Sequence, residues 1–144
     1  MILISITFHI FFILCVYYDI KKRIIPEFCF RIMLILSLIK CLINSNIIDT
    51  YHAISIFIFP VFLQIFIETY TEKEIIGLGD VKLFMVIALY FSNINISFVY
   101  NFFTTLYLLS AIYILLFRKF KGYIAFAPLI YITFFIYEWR LYEK

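Results

Sequence analysis

Residues 77–82 read Gly77-Leu78-Gly79-Asp80-Val81-Lys82, and an uninterrupted apolar run continues from there to residue 91. The chain has only three glycines, and two of them stand in this segment. Charged side chains are costly at membrane depth, and glycine lowers helix propensity. Gly77 and Gly79 are expected to permit a non-helical backbone here, which is tolerated only where it is shielded from lipid. A segment that bears both energetic costs at the start of an apolar helix indicates a role in chemistry or transport rather than in packing alone.

The rest of the chain is typical of an integral membrane protein. Of its 144 residues, 66% are hydrophobic, and the mean hydropathy is +1.08. A soluble domain does not need so much apolar surface, and the runs are continuous, whereas the strands of a barrel would alternate. At about 20 residues per span, we predict an all-α, polytopic transmembrane bundle of about six helices that forms a single domain over residues 1–144.

Polar and charged connectors divide the apolar runs, and the first run lacks the basic start and cleavage site of a signal peptide. The predicted spans are Met1–Tyr18, Phe28–Ile43, Thr50–Ile67, Gly79–Ser92, Ile96–Phe117 and Tyr123–Tyr137. Residues 138–144 are then expected to form a polar tail.

Basic residues concentrate in alternate connectors. They are Lys21, Lys22 and Arg23 after span 1, Lys73 after span 3, and Arg118, Lys119 and Lys121 after span 5. Because positive charge marks cytoplasmic loops, the odd-numbered connectors are predicted to face the cytoplasm and both termini the other side. The predicted location is the inner (cytoplasmic) membrane, which the chain crosses several times.

Two aspartates fall at the same predicted membrane face. Asp19 ends span 1, and Asp80 opens span 4 about 18 Å from Ser92 at the helical rise, which places it below the surface of a core of about 30 Å. If their two carboxyl groups approach closely, both cannot ionise readily, and they then share a proton. The ionised partner can deprotonate water while the protonated one polarises a peptide carbonyl, which hydrolyses an amide without a covalent intermediate.

Other chemistries have little support in the sequence. No G-x-S-x-G or H-E-x-x-H pattern occurs, and His9 and His52 are expected to be structural or solvated residues. The cysteines at 15, 29 and 41 lie in or beside apolar runs without a C-x-x-C pattern, so buried free thiols are expected. No metal or other cofactor and no nucleic-acid partner is predicted.

Two motifs resemble those of the type IV prepilin peptidases, which are intramembrane aspartyl proteases of the GxGD type. They are Asp19-x-x-x-Arg23-x-Ile25-Pro26 and Glu74-x-x-Gly77-x-Gly79-Asp80-x-Lys82-Leu83. The first motif departs from the family pattern at Glu27, where Asn is usual. A later proline motif of the family is echoed only by Ala125-Phe126-Ala127-Pro128.

The resemblance implies that Asp19 and Asp80 form the catalytic pair. Supporting positions are expected at Gly77, Gly79, Lys82, Arg23 and Pro26. The implied partner is a prepilin or pilin-like precursor whose short basic leader is cut at the cytoplasmic face. The insert that accompanies N-methyltransferase activity in larger members does not precede the first motif, so peptidase activity alone is expected. The sequence leaves open the roles of Glu27 and Glu74, the oligomeric state, and whether Asp19 and Asp80 are in contact before substrate binds.

A non-enzymatic membrane component is the alternative. It could be a small transporter or channel subunit that uses Asp80 and Lys82 as an ion site, or an inactive partner in pilus assembly. An ion path would need further polar groups along the bundle. The outer halves of spans 3 to 5 offer only uncharged ones, Gln64, Asn101, Thr104, Thr105 and Ser110, and this disfavours ion passage.

Overall fold

The computed structural model describes residues 2–44, 47–71, 77–92, 94–117 and 124–142. These residues form six helices and no strand: α1 (Ile2–Lys22), α2 (Glu27–Asn44), α3 (Ile47–Thr71), α4 (Leu78–Phe91), α5 (Ile96–Phe117) and α6 (Ala127–Tyr142). Three of the helices contain stretches long and apolar enough to cross a membrane, namely Leu3–Lys22, Thr50–Tyr70 and Ile96–Phe117. The predicted all-α bundle of about six helices is thus confirmed. The side on which each terminus lies stays a prediction.

Helix α4 lies at the centre of the bundle, against α2, α3 and α6. It has 14 residues, which is about 21 Å at the helical rise. From Leu83 to Phe91 every side chain is buried except that of Met85. Because the helix is enclosed by its neighbours, its apolar run shows no polar stripe. It ends at Phe91, and the next residue, Ser92, has a positive φ of 45° and donates its N–H to the carbonyl of Ala88 at 3.1 Å.

The predicted ends of three spans are wrong by three residues or more. Span 3 was expected over Thr50–Ile67, but α3 covers Ile47–Thr71. Span 1 was expected to end at Asp19, but α1 continues to Lys22, and the carbonyl of Asp19 accepts the N–H of Arg23 at 2.9 Å. Helix α6 begins at Ala127 rather than residue 123, with Pro128 in its first turn, where a missing N–H is harmless. It continues past residue 137, so Glu138 lies in the bundle and not in a polar tail.

Aromatic side chains fill the space between α1, α4 and α6. The ring of Phe8 lies 4.4 Å from that of Tyr90 and 5.3 Å from that of Phe134, and Phe12 lies 5.5 Å from Phe134. All four are fully or almost fully buried, and their tilted contacts are those that aromatic pairs favour. This layer holds together the helices that carry Asp19 and Asp80.

Candidate active site

One cavity of about 410 Å³ opens where α1 ends and α4 begins. Its wall consists of the connector between α1 and α2 together with the first turns of α2 and α4. The lining residues are Asp19, Arg23, Ile24, Ile25, Pro26, Glu27, Gly77, Leu78, Gly79, Asp80 and Lys82. Every residue that the sequence assigned to the site therefore borders this cavity, although the two motifs are about sixty residues apart.

Asp80 lies in the first turn of α4. Gly77 is the N-cap, with an extended backbone (φ −72°, ψ 145°), and its carbonyl accepts the N–H of Asp80 at 2.9 Å. The carboxylate of Asp80 in turn faces the backbone N–H of Gly77. An acid at this position of a helix reaches back to the N-cap in the same way in a capping box. The start of the helix therefore sets the direction of this side chain.

Asp19 lies in the last part of α1 and is only 8% exposed. Its Oδ2 accepts the backbone N–H of Ala127, the first residue of α6, at 3.0 Å. The first N–H groups of a helix have no partner within the helix, and the positive end of the helix favours a neighbouring anion. Asp19 thus supplies a partner for the start of α6, and α6 holds the Asp19 carboxylate in place.

The two carboxylates share one environment. Besides bordering the same cavity, they lie close enough for their charges to interact repulsively. Asp19 is buried and Asp80 is partly buried, so water screens this repulsion less than it would at an open surface. Each of two carboxyl groups placed in this way makes ionisation of the other less favourable.

Gly79 has a different role from the one expected. We predicted that both glycines permit non-helical backbone, but Gly79 lies within α4, and only Gly77 lies outside it. A methyl group at Gly79 would come within 3.0 Å of Cδ1 and 3.1 Å of Cγ1 of Ile25. At Gly77 it would make only an ordinary 3.5 Å contact with Asp80. Gly79 therefore allows the connector that follows α1 to pack directly on α4.

The connector itself contains an unusual backbone conformation. Arg23 has φ 55°, in the left-handed region that residues other than glycine seldom occupy. This conformation ends α1 and turns the chain towards Ile25, which is buried, and Pro26, which precedes the first residue of α2. Arg23 itself is exposed and borders the cavity. The turn therefore brings the first motif against the second.

An ion pair joins the two motifs at the edge of the cavity. The ammonium group of Lys82 contacts the carboxylate of Glu27 and lies 5.5 Å from the centre of the Phe30 ring. The hydrogen bond from Lys82 lowers the pKa of the Glu27 carboxyl. Glu27 is the first residue of α2 and precedes the apolar part of that helix. The acid that replaces the usual Asn thus has a partner in the second motif. Glu74 and Lys73 lie outside the described residues.

The remaining polar candidates lie elsewhere. His52 is exposed on α3, while His9 belongs to a buried cluster far from the cavity. The three cysteines, all among the described residues, are buried thiols that form no disulfide, as predicted. Within the described ranges, no three His, Cys, Asp or Glu side chains form a group that could hold a metal ion.

The sequence did not identify α6 as part of this site. Its contribution is a backbone N–H group, which no side-chain pattern reveals. The one available signal was Pro128, since proline is favoured in the first turn of a helix. It could have placed the start of α6, and hence a set of unpaired N–H groups, at the same end of the bundle as Asp19.

The fold and the cavity together define a helical membrane protein with a paired-carboxylate site at one end of the bundle. Residues 6–117 match the family model described as the Type IV leader peptidase family. This match covers well over half of the chain, which therefore belongs to that family of peptidases. A search of curated proteins and a search of solved structures each found no match. The matched segment contains both aspartates and ends before α6.

Proposed function

We propose that this chain is an aspartic endopeptidase that removes the leader of a prepilin-like precursor, with Asp19 and Asp80 as its catalytic pair. One observation carries the proposal: side chains from two distant motifs border a single cavity. Membership of the Type IV leader peptidase family supports it independently. The cavity volume is in the range of sites that bind small ligands, so it suits a short extended stretch of a peptide.

The surroundings of the two carboxylates suggest their roles. The N–H of Ala127 stabilises negative charge on Asp19, so we assign the ionised state to Asp19 and the shared proton to Asp80. Asp19 takes a proton from water, whose oxygen adds to the peptide carbonyl carbon while Asp80 protonates the carbonyl oxygen. When the C–N bond breaks, the leaving nitrogen takes the proton held by Asp19 and Asp80 regains its own from the new carboxyl group.

The remaining parts of the proposal concern the setting of the reaction. The distribution of basic residues supports a cavity that faces the cytoplasm and a chain that crosses the inner membrane several times. The precursor would then be cut at the cytoplasmic face, and peptidase activity without N-methylation is part of the proposal. Arg23, Pro26, Gly77, Gly79 and Lys82 are proposed to support the site rather than to react.

Hydrogen bonding on α5 weighs against the alternative of a transporter subunit. The hydroxyl groups of Thr104, Thr105 and Ser110 each donate to the carbonyl four residues earlier in the same helix, at 2.8, 2.9 and 2.7 Å. The hydrogen of each hydroxyl is thus used within the helix, and α5 carries no charged side chain. Ion passage next to Asp80 and Lys82 therefore gains no support from this helix.

Asp19→Asn and Asp80→Asn test the catalytic pair. Each variant, reconstituted with a candidate precursor, is expected to lose cleavage by at least about a thousandfold, since removing one member of a concerted catalytic group costs several orders of magnitude. The measurement is the mass of the released leader peptide, and Glu68→Gln on α3 controls for the loss of an acid elsewhere. Cleavage at the normal rate by either Asn variant would show that the pair is not catalytic.

A further inference from the structure

A buried carboxylate lies at the end of the bundle opposite to the cavity. Glu138 of α6 is 4% exposed. Its Oε1 accepts the hydroxyl of Ser5 at 2.6 Å and also the hydroxyl of Tyr90, and these two hydroxyls lie 2.7 Å apart. Its Oε2, which has no hydrogen-bond partner of good geometry among the described residues, lies 2.6 Å from Nε2 of His9. We call these four residues the Glu138 cluster.

Two more residues border the Glu138 cluster. The ammonium group of Lys40, on α2, lies 3.2 Å from the centre of the Tyr90 ring and is close enough to attract the Glu138 carboxylate. The hydroxyl of Tyr131 lies 3.3 Å from Nδ1 of His9. An ionisable group inside a membrane bundle is costly unless it is paired. A buried carboxylate with so many polar partners is expected to have a role, and the proposed catalytic steps do not use it.

The Glu138 cluster joins the same helices that form the candidate active site. Ser5 and His9 belong to α1, which carries Asp19, and Tyr90 belongs to α4, which carries Asp80. Glu138 belongs to α6, whose first N–H group holds Asp19. The separations along each helix, from His9 to Asp19, from Tyr90 to Asp80 and from Glu138 to Ala127, are ten or eleven residues, or about 15–17 Å.

The contact between Asp19 and α6 depends on the register of that helix. A shift of α6 along its axis by one residue would move the N–H of Ala127 by about 1.5 Å. The 3.0 Å bond to Asp19 would then exceed the length of a hydrogen bond. Aromatic packing alone tolerates small shifts, whereas hydrogen bonds between helices require a particular register. A second set of hydrogen bonds at the far end of the helices would fix the register of α6.

We infer that Glu138 is a positioning residue: by binding Ser5, His9 and Tyr90 it holds α6 in the register that places the Ala127 N–H on Asp19. Glu138 itself lies outside the segment that matches the family model. The inference rests on the proposed function only where its test measures peptidase activity. Loss of the Glu138 cluster should loosen the first turn of α6 and slow catalysis without removing any group that touches the substrate.

The chain offers a matched pair of variants. Ser5 and Ser37 are both buried serines within helices, but the hydroxyl of Ser37 has no hydrogen-bond partner in the part of the chain that the structure describes. Ser5→Ala removes a donor to Glu138, whereas Ser37→Ala removes a hydroxyl of equal size with no comparable contact. We expect a several-fold fall in kcat for Ser5→Ala and an unchanged kcat for Ser37→Ala.

A double replacement separates position from stability. His9→Leu combined with Glu138→Leu removes both members of the buried pair, and such apolar replacements are often neutral or stabilising. We expect the melting temperature in lipid nanodiscs to be retained and kcat to fall about tenfold to a hundredfold, with KM unchanged. Glu138→Gln keeps an acceptor for the two hydroxyls and should show a smaller fall.

A readout that needs no substrate completes the test. Amide hydrogen exchange of Ala127, followed by NMR in nanodiscs, should be at least several-fold faster in the double variant than in the wild type and in Ser37→Ala. Wild-type exchange at Ala127 together with wild-type kcat in the double variant would overturn the inference, and so would equal effects of Ser5→Ala and Ser37→Ala. If the double variant does not fold, the serine pair decides the question. If the wild type cleaves no precursor, the proposed function fails, while the exchange measurement still tests the positioning role.

Discussion

Oδ2 of Asp19 lies 3.0 Å from the backbone nitrogen of Ala127 and accepts its hydrogen, so one side chain both borders the cavity and completes the first turn of α6. This double role means that a change at Asp19 affects structure as well as chemistry. At Asp80 the corresponding contact is to Gly77 of its own helix start. The two aspartates should therefore respond differently to truncation.

Asp19→Ala is expected to destabilise the protein, because it leaves a buried N–H group without a partner. The expected cost is about 1–3 kcal/mol. Asp19→Asn keeps a side-chain oxygen that can accept the same hydrogen, so it should be close to wild type in stability. Thermal unfolding in lipid measures both. Equal stability of the Ala and Asn variants would mean that Asp19 does not support α6.

Gly79→Ala is expected to destabilise the protein more than Gly77→Ala, since only the former meets Ile25 at 3.0 Å. Overpacking of this kind costs about 1–3 kcal/mol. Adding Ile25→Ala to Gly79→Ala should recover part of the loss. The double variant should therefore be destabilised by less than the sum of the two single losses of stability. Thermal unfolding of all four variants measures this coupling, and strict additivity would contradict the contact.

Arg23→Gly is expected to leave stability unchanged or to raise it. The left-handed conformation at φ 55° costs residues with a Cβ about 1 kcal/mol, and glycine avoids this cost. Arg23→Asn should behave similarly because asparagine tolerates the region, whereas Arg23→Val should be the least stable because valine is β-branched. Melting temperatures give the order, and the prediction fails if valine is tolerated as well as glycine.

The ion pair between Lys82 and Glu27 is expected to contribute little to stability. Both side chains are more than a third exposed, and exposed pairs contribute at most about 1 kcal/mol. Lys82→Gln and Glu27→Gln should each change the free energy of unfolding by less than this amount, and the change should shrink at high salt. A large loss of stability in either variant would show that the pair supports the fold. If stability is kept, any fall in cleavage reports on the site.

Much of the arrangement could be predicted from residues that act locally. The ends of span 5 were predicted correctly, since polar residues bracket it on both sides. Asp19 and Asp80 were placed at the same end because alternate connectors carry the basic residues, and this placement agrees with the cavity that both of them border. Charge and hydropathy fix helix direction in a membrane bundle, which makes such inferences possible.

Contacts between helices could not be predicted in the same way. The function of Gly79 depends on Ile25, which belongs to a different motif, and no local pattern reports that approach. Glu138 was assigned to a polar tail because three more charged residues follow it up to residue 144. In the structure, partners on α1 and α4 make its burial favourable. Such partners are known only when the helices are seen together.

Helix α4 is only about 21 Å long, whereas α3 and α5 have 25 and 22 residues and can each traverse a hydrocarbon core of about 30 Å. The cavity with both aspartates lies at the N-terminal end of α4, where a central helix shorter than its neighbours can leave a hollow. Bulk water can fill such a hollow without entering lipid. A peptide bond could then be hydrolysed next to the bilayer, with no need for a dedicated channel to deliver the solvent.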